Sequence, residues 1–222
     1  MIAETKLAEM LCTRLCHDLT GPIGAVNNGA EFLDEEGFDM QNEAVQLIVN
    51  SAHEAVNRLQ FYRQAYGRVG DSGEACLEDK KKLATDFFSC TKITLDWPDS
   101  HTDAAGVSIS QKMSRLILNM LIVSSATMIR GGKLSVRISN GEHGEKRIQI
   151  EGHGETIKLD AENTSILKGE ADEKSLSPKT AQLFLTMKIA AEVGADITLD
   201  LHSDSIGLTA TQRAVVLASA AV

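Results

Sequence analysis

The stretch RLCHDLTGPIGAVNNG, Arg14 to Gly29, sets a histidine beside an aspartate, with a proline five residues further on. An imidazole near neutral pH keeps a free nitrogen lone pair, so His17 can act as a nucleophile. Asp18 can orient that ring, accept its proton, or merely add negative charge beside it. Apolar residues recur at Leu7, Leu11, Leu15, Leu19, Ile23, Val26, Ala30 and Leu33. Steps of three and four describe one long amphipathic helix. His17 is two residues from both Leu15 and Leu19, about 200° around that helix, so it faces water. Arg14, Gly21 and Gly24 lie on its side. Glycine costs a helix about 1 kcal/mol relative to alanine, and two of them leave the surface bare beside the ring. Pro22 removes a backbone donor and favours a kink just past His17. Spacing alone leaves two readings open: a solvated histidine near a kink, and a nucleophile that another protein approaches closely.

The histidine needs a platform. A second apolar series, Ala44, Ile48, Ser51, Ala55, Leu59, Tyr62 and Tyr66, follows the acidic stretch DEEGFDM. Two long helices joined by a short connection make an antiparallel hairpin turning near Phe38. Two helices cannot enclose a core, and pairing with a second copy into a four-helix bundle is the economical solution. Glycines in GRVGDSGEA, Gly67 to Ala75, mark a linker, which divides the chain into residues 1–68 and 73–222. Beyond it KITLDW reads as a strand and Ser110 to Ile129 as a long helix. KLSVRIS and KRIQIEG read as a hairpin, Ser177 to Val193 as a helix, and ADITLDL with SIGLTAT as a second hairpin. The fold class is therefore α followed by α+β, with helices on one face of an antiparallel-rich sheet.

Composition removes several functions. A net charge of −9 and few aromatic residues argue against nucleic acid. The Lys80 to Lys82 run reads as a solvated helix face. No apolar run approaches a membrane span and the N-terminus lacks a signal-peptide pattern, so a cytoplasmic location is expected. Cys12 and Cys16, a helical turn apart, read as small buried side chains in a reducing compartment. A metal held by Cys12, Cys16 and His17 is disfavoured by their angular spread and by the lack of a second ligand cluster.

LCHDLTGPIGAVNNGAEFL resembles the phosphoacceptor box of two-component histidine kinases: His17, Asp18, Leu19 and Pro22 match, while Thr20 and Gly21 depart from it. With SAHEAVNRLQFYRQAYG (Ser51 to Gly67) and ITLDW (Ile93 to Trp97), the chain is similar to the ChpT-type histidine phosphotransferases. That resemblance implies a homodimer whose hairpins form a four-helix bundle, and a C-terminal domain like the kinase ATP-binding (Bergerat) fold. It implies a phosphorelay in which His17 takes a phosphoryl group from the receiver aspartate of a hybrid histidine kinase. His17 then passes the group to a response regulator, as in a cell-cycle relay between CckA-like and CtrA-like partners. His17 and Asp18 are the expected catalytic residues, and Arg14, Gly21, Gly24 and Arg63 the expected receiver-docking residues. No resident cofactor is expected, magnesium being supplied by the visiting receiver.

The rival, an active kinase, fails three requirements. Asn119 aligns with the first asparagine of the kinase pattern, but the magnesium-ligating second position is Val123, which offers no oxygen. EGHGET stands out of register with the first glycine box, and Ser177, Pro178, Lys179 and Thr180 replace the second. Aspartate-to-histidine transfer needs little beyond a positioned imidazole and a docking surface. Docking apolar area is expected at Leu15, Ile23 and near Phe61, with Arg58 and Arg63 within a turn or so of the phosphoryl site, Arg14 one turn below it, and Arg14 and Arg63 as phosphate neighbours. A module that binds a receiver without accepting phosphate is the other alternative.

Overall fold

The computed structural model describes residues 4–34, 41–67, 73–98, 107–141 and 144–213. Helices α1 (Glu4–Asp34) and α2 (Gln41–Tyr66) run side by side in opposite directions, Gly29 meeting Ala44 and Ile48 while Asp18 meets Arg58 and Tyr62. The helices cross closely at Gly29: a Cβ there would stand 2.7 Å from Ile48 Cγ1 and 3.2 Å from the Ala44 carbonyl. The expected turn around Phe38 and the centre of the expected linker lie outside the described residues.

After the hairpin come α3 (Leu77–Ser89), β1 (Ile93–Asp96), α4 (Gln111–Thr127), β2 (Gly132–Asn140) and β3 (Lys146–His153). Then follow α5 (Ala161–Leu167), α6 (Ala181–Glu192), β4 (Ala195–Leu201) and β5 (Ser205–Gln212). The sheet order is β1-β2-β3-β5-β4, with one parallel pair, β1 and β2, and antiparallel pairing elsewhere. Register places Val136 opposite Ile150 and Ile150 opposite Leu208, so their side chains share one face. The two-residue period buries Leu134, Val136 and Ile138 on that face beneath α4. Helix α4 is buried nearly all round because it lies between the sheet and the other helices, and Leu116, Ile117, Met120 and Leu121 are wholly enclosed. Its N-terminus is capped by Ser110, whose hydroxyl accepts from the Met113 amide.

One apolar core crosses from the hairpin into the sheet domain. Phe61, Tyr62 and Ala65 of α2 join Phe87 and Phe88 of α3, and Phe61 stacks on Phe87 with ring centroids 4.2 Å apart. Leu7 of α1 closes a smaller cluster with Leu176 and Ala181. Among the described residues no helix is long and apolar enough to cross a membrane.

Several expectations change here. Lys80 is buried rather than solvated: its ammonium donates to Gln64 Oε1 at 2.8 Å, tying α3 to α2. Burial pushes its pKa down. Cys12 and Cys16 are exposed free thiols, as are Cys76 and Cys90. Phe61 is inside the core and offers no docking area. Helix α6 begins at Ala181, because the backbone from Ser177 to Thr180 is a turn held by the two hydroxyls against each other.

Candidate functional site

The His17 side chain is 87% exposed on the outer face of α1. Helical spacing sets Gly21 one turn and Gly24 two turns along the same face. A Cβ at either glycine would meet nothing within 4 Å. Among the described residues neither glycine makes way for a neighbour, unlike Gly29, and the strip beside the imidazole is bare.

Asp18, next in sequence, turns the other way, into the hairpin. Its Oδ1 lies 3.4 Å from His17 Nδ1, its Oδ2 accepts from the Tyr62 hydroxyl at 2.9 Å, and Arg14 Nε stands 3.7 Å from Oδ2. Burial, then the Asp18 charge, push the Tyr62 hydroxyl well above the usual phenol range, so it stays protonated and donating. Pro22 explains a further contact. With no N–H at Pro22, the carbonyl four residues earlier, that of Asp18, loses its helical partner. Arg58 fills the vacancy, donating to the Asp18 carbonyl at 3.3 Å while its guanidinium pairs with Glu54. The proline thus opens a docking point for α2 beside the histidine.

Of the residues singled out in the sequence, the structure gathers His17, Asp18, Arg14, Gly21 and Gly24 within about three turns of α1. Arg63 is not with them. Five residues past Arg58 it faces about 140° away from it, on the side of α2 that carries Val56 and Leu59. Tyr62 belongs by spacing to the apolar stripe of α2, yet its hydroxyl is a polar group that a half-buried position must still satisfy.

Behind Asp18 the polar chain continues. Tyr62 stacks on Tyr66 with centroids 5.1 Å apart and planes 11° apart, and the Tyr66 hydroxyl donates to Gln182 Oε1 at 2.7 Å. Burial raises the Tyr66 hydroxyl to about 12. Gln182 Nε2 donates to Asn119 Oδ1 at 2.8 Å, and Asn119 Nδ2 donates to the Ala65 and Arg115 carbonyls, each at 2.8 Å. Arg115 also donates to the Ala65 and Tyr66 carbonyls. Helix α2 therefore ends on a cationic cap supplied by α4, where its last carbonyls have no helical partners.

That arrangement does not fit a magnesium nucleotide. Asn119 has no exposed surface and both ends of its carboxamide are engaged inside the protein. Val123 brings no oxygen one turn on. The cleft between α4 and α6, lined by Val123, Thr127, Gln182 and Leu183, holds about 60 Å³. Small-molecule sites run to about 300 Å³ or more, so the space suits a water or two. Gly152 is a paired strand residue between Leu134 and Ile206, and Gly154 packs on the Gly131 carbonyl; neither lines a phosphate loop. Among the described residues no group of histidine, cysteine, aspartate or glutamate is placed to hold a metal ion.

Residues 77–205 match the family described as histidine phosphotransferase C-terminal domain. The chain is 33% identical over 210 residues to the protein phosphotransferase ChpT of Brucella abortus (strain 2308), covering 94% of this chain and 97% of that one. A solved bacterial phosphotransferase superposes with a TM-score of 0.79 at 31% identity, over 95% of this chain and 98% of its own. Full-length ShkA, solved in complex with AMPPNP, shares the fold, with a TM-score of 0.50 at 13% identity over 92% of this chain and 45% of its own.

Proposed function

Because this chain belongs to the histidine phosphotransferase family, as a ChpT-type protein phosphotransferase, we propose that its phosphoryl carrier is His17. Family membership supplies phosphotransfer in a two-component phosphorelay. The observation that carries the assignment to His17 is the exposed imidazole on a bare helix face, with a carboxylate fixed against one ring nitrogen.

The reaction follows from that geometry. With its proton on Nδ1 directed to Asp18, the ring presents the Nε2 lone pair outward. Nε2 attacks phosphorus in the aspartyl phosphate of a receiver domain; the N–P bond forms as the acyl P–O bond breaks and the aspartate leaves as carboxylate. The ring becomes cationic, and the Asp18 carboxylate stabilises that charge. A second receiver, on a response regulator, reverses the step: its aspartate takes the phosphoryl group and His17 returns to neutral imidazole. Magnesium, which offsets the charge of the transferring group, arrives with the receiver. ATP is not the donor on this reading, in keeping with the narrow α4–α6 cleft and the inward-turned Asn119.

Residues 1–68 carry the chemistry and residues 73–222 support it. Gly21 and Gly24 are the floor of the docking strip. Arg14 acts through Asp18 rather than on phosphate, and Arg63 stands at the edge of the hairpin seam. The partners are receivers of CckA-like and CtrA-like proteins. Exposed thiols at Cys12, Cys16, Cys76 and Cys90 suit the reducing cytoplasm.

The chain works as a homodimer. Val45, Val49, Val56 and Leu59 of α2 lie exposed at alternating steps of four, seven and three, and Ile23 of α1 is 56% exposed. That heptad spacing is the seam of a helical bundle, and a second copy is the occupant that supplies the same stripe in return. His17 is six residues from Ile23, about 120° around the helix, so it stays outside when the seam closes. Leu59→Glu is expected to shift the light-scattering mass from twice the chain mass to one; an unchanged mass removes the dimer from this account.

The function is tested with a panel of receiver domains loaded with radiolabelled phosphate. The protein is expected to take label from at least one, and His17→Ala from none. Binding without label in the parent protein makes the chain a receiver-binding module instead.

A further inference from the structure

We propose that Asn119, Gln182, Tyr66 and Tyr62 form a positioning chain through which the C-terminal domain holds Asp18, and with it the ring of His17, in the geometry for phosphoryl transfer. This rests on His17 as carrier.

The chain is continuous from the centre of the sheet domain to the histidine. It runs from Asn119 of α4 to Gln182 of α6 at 2.8 Å, from Gln182 to Tyr66 of α2 at 2.7 Å, through the Tyr66–Tyr62 stack, and from Tyr62 to Asp18 of α1 at 2.9 Å. Its inner members are sealed: Asn119 has no exposure and Gln182 2%. Burying amides and hydroxyls is costly unless all are paired, and apolar residues of equal size would hold two domains together as well. What apolar residues cannot do is fix the direction of a hydrogen bond. The chain ends on Asp18, whose carboxylate stands 3.4 Å from the His17 ring, and its last donor is a hydroxyl that burial keeps protonated.

The second anchor of Asp18 points the same way. Pro22 frees the Asp18 carbonyl, and Arg58 takes it at 3.3 Å. Backbone and side chain of Asp18 are thus both held from α2, which α4 clamps at its C-terminal end through Arg115 and Asn119. A domain whose Asn119 is turned inward as a clamp keeps a purpose: it sets which nitrogen of His17 carries the proton.

The test uses the full-length protein labelled with nitrogen-15 at histidine, and the variants Tyr62→Phe, Tyr66→Phe and Gln182→Met, each with its fold checked by circular dichroism. Long-range nitrogen–proton NMR reads the tautomer of neutral His17, and stopped transfer assays read phosphoryl uptake from a loaded receiver domain. The parent protein is expected to hold the proton on Nδ1. Tyr62→Phe is expected to shift the neutral ring towards the Nε2–H form and to lower uptake at saturating receiver by about tenfold, with the half-saturating receiver concentration unchanged. Tyr66→Phe and Gln182→Met are expected to act in the same direction, by roughly threefold. If all three variants keep the parent tautomer and rate while His17→Ala takes no label, the positioning chain is wrong and the carrier assignment stands. If His17→Ala takes label as the parent does, both fall.

Discussion

The outer face of α1 and the cleft between α4 and α6 follow opposite rules. Around His17 the chain leaves space, with Gly21 and Gly24 touching nothing and only the Asp18 side of the ring fixed. At the cleft Gln182 and, buried behind it, Asn119 are wholly paired and about 60 Å³ is left over. On the proposed function, a surface that receives transient visitors stays unfilled at the modest expense of helix propensity. A cleft inside a core has no such freedom, since each unpaired amide there costs about 1–3 kcal/mol. Asn119, expected from the kinase resemblance at a nucleotide-site position, is a buried clamp whose carboxamide bonds Ala65, Arg115 and Gln182.

The comparison can be broken first at the core that joins the two regions. Phe61→Ala is expected to cost about 3–5 kcal/mol, and the helical and near-ultraviolet signals are expected to melt together in one transition. Two separated transitions would show the hairpin and the sheet domain to be independent. Asn119→Leu cuts into the cleft itself. It removes the donors to the Ala65 and Arg115 carbonyls and the acceptor of the buried Gln182 amide, leaving Ala65 to Arg115 and Gln182 Nε2 to Thr186 at 3.4 Å, and chemical denaturation is expected to register a loss of about 1–3 kcal/mol.

The glycines of α1 sharpen the contrast within a single helix. Gly29→Ala drives a methyl towards Ile48 Cγ1 and the Ala44 carbonyl and is expected to destabilise by about 1–3 kcal/mol. Gly21→Ala and Gly24→Ala are expected to do the reverse, each stabilising by about 1 kcal/mol and raising the melting temperature by about 2–4 °C. The same two changes are expected to raise the receiver concentration needed for half-maximal transfer. A stability gain without that weakening would mean that no partner approaches this strip.

The paired helices and all five strands were legible because their apolar residues keep a regular period. Periodicity reports that a face is covered and is silent about the cover. Leu15 and Ile23 belong to one stripe, yet Leu15 packs on the C-terminal domain and Ile23 is left to solvent. Lys80 misled for a related reason: its long stem allowed burial, with the charge reaching Gln64, and its charged neighbours suggested water. Helix α5, at seven residues, is too short for a period to register. His17, Asp18 and the glycines were readable as local spacing. Tyr62, Gln182 and the clamp on α2 were not, because their meaning lies in contacts of 44 to 116 residues' separation.

The most direct test of the account is to locate the phosphoryl group. After mixing with a loaded receiver domain, phosphorus-31 NMR and peptide mapping are expected to find one acid-labile, base-stable phosphoimidazole per chain, on the peptide holding His17, which is discharged on adding a second receiver. Phosphate on any other residue, or label taken from magnesium and ATP with no receiver present, would contradict it.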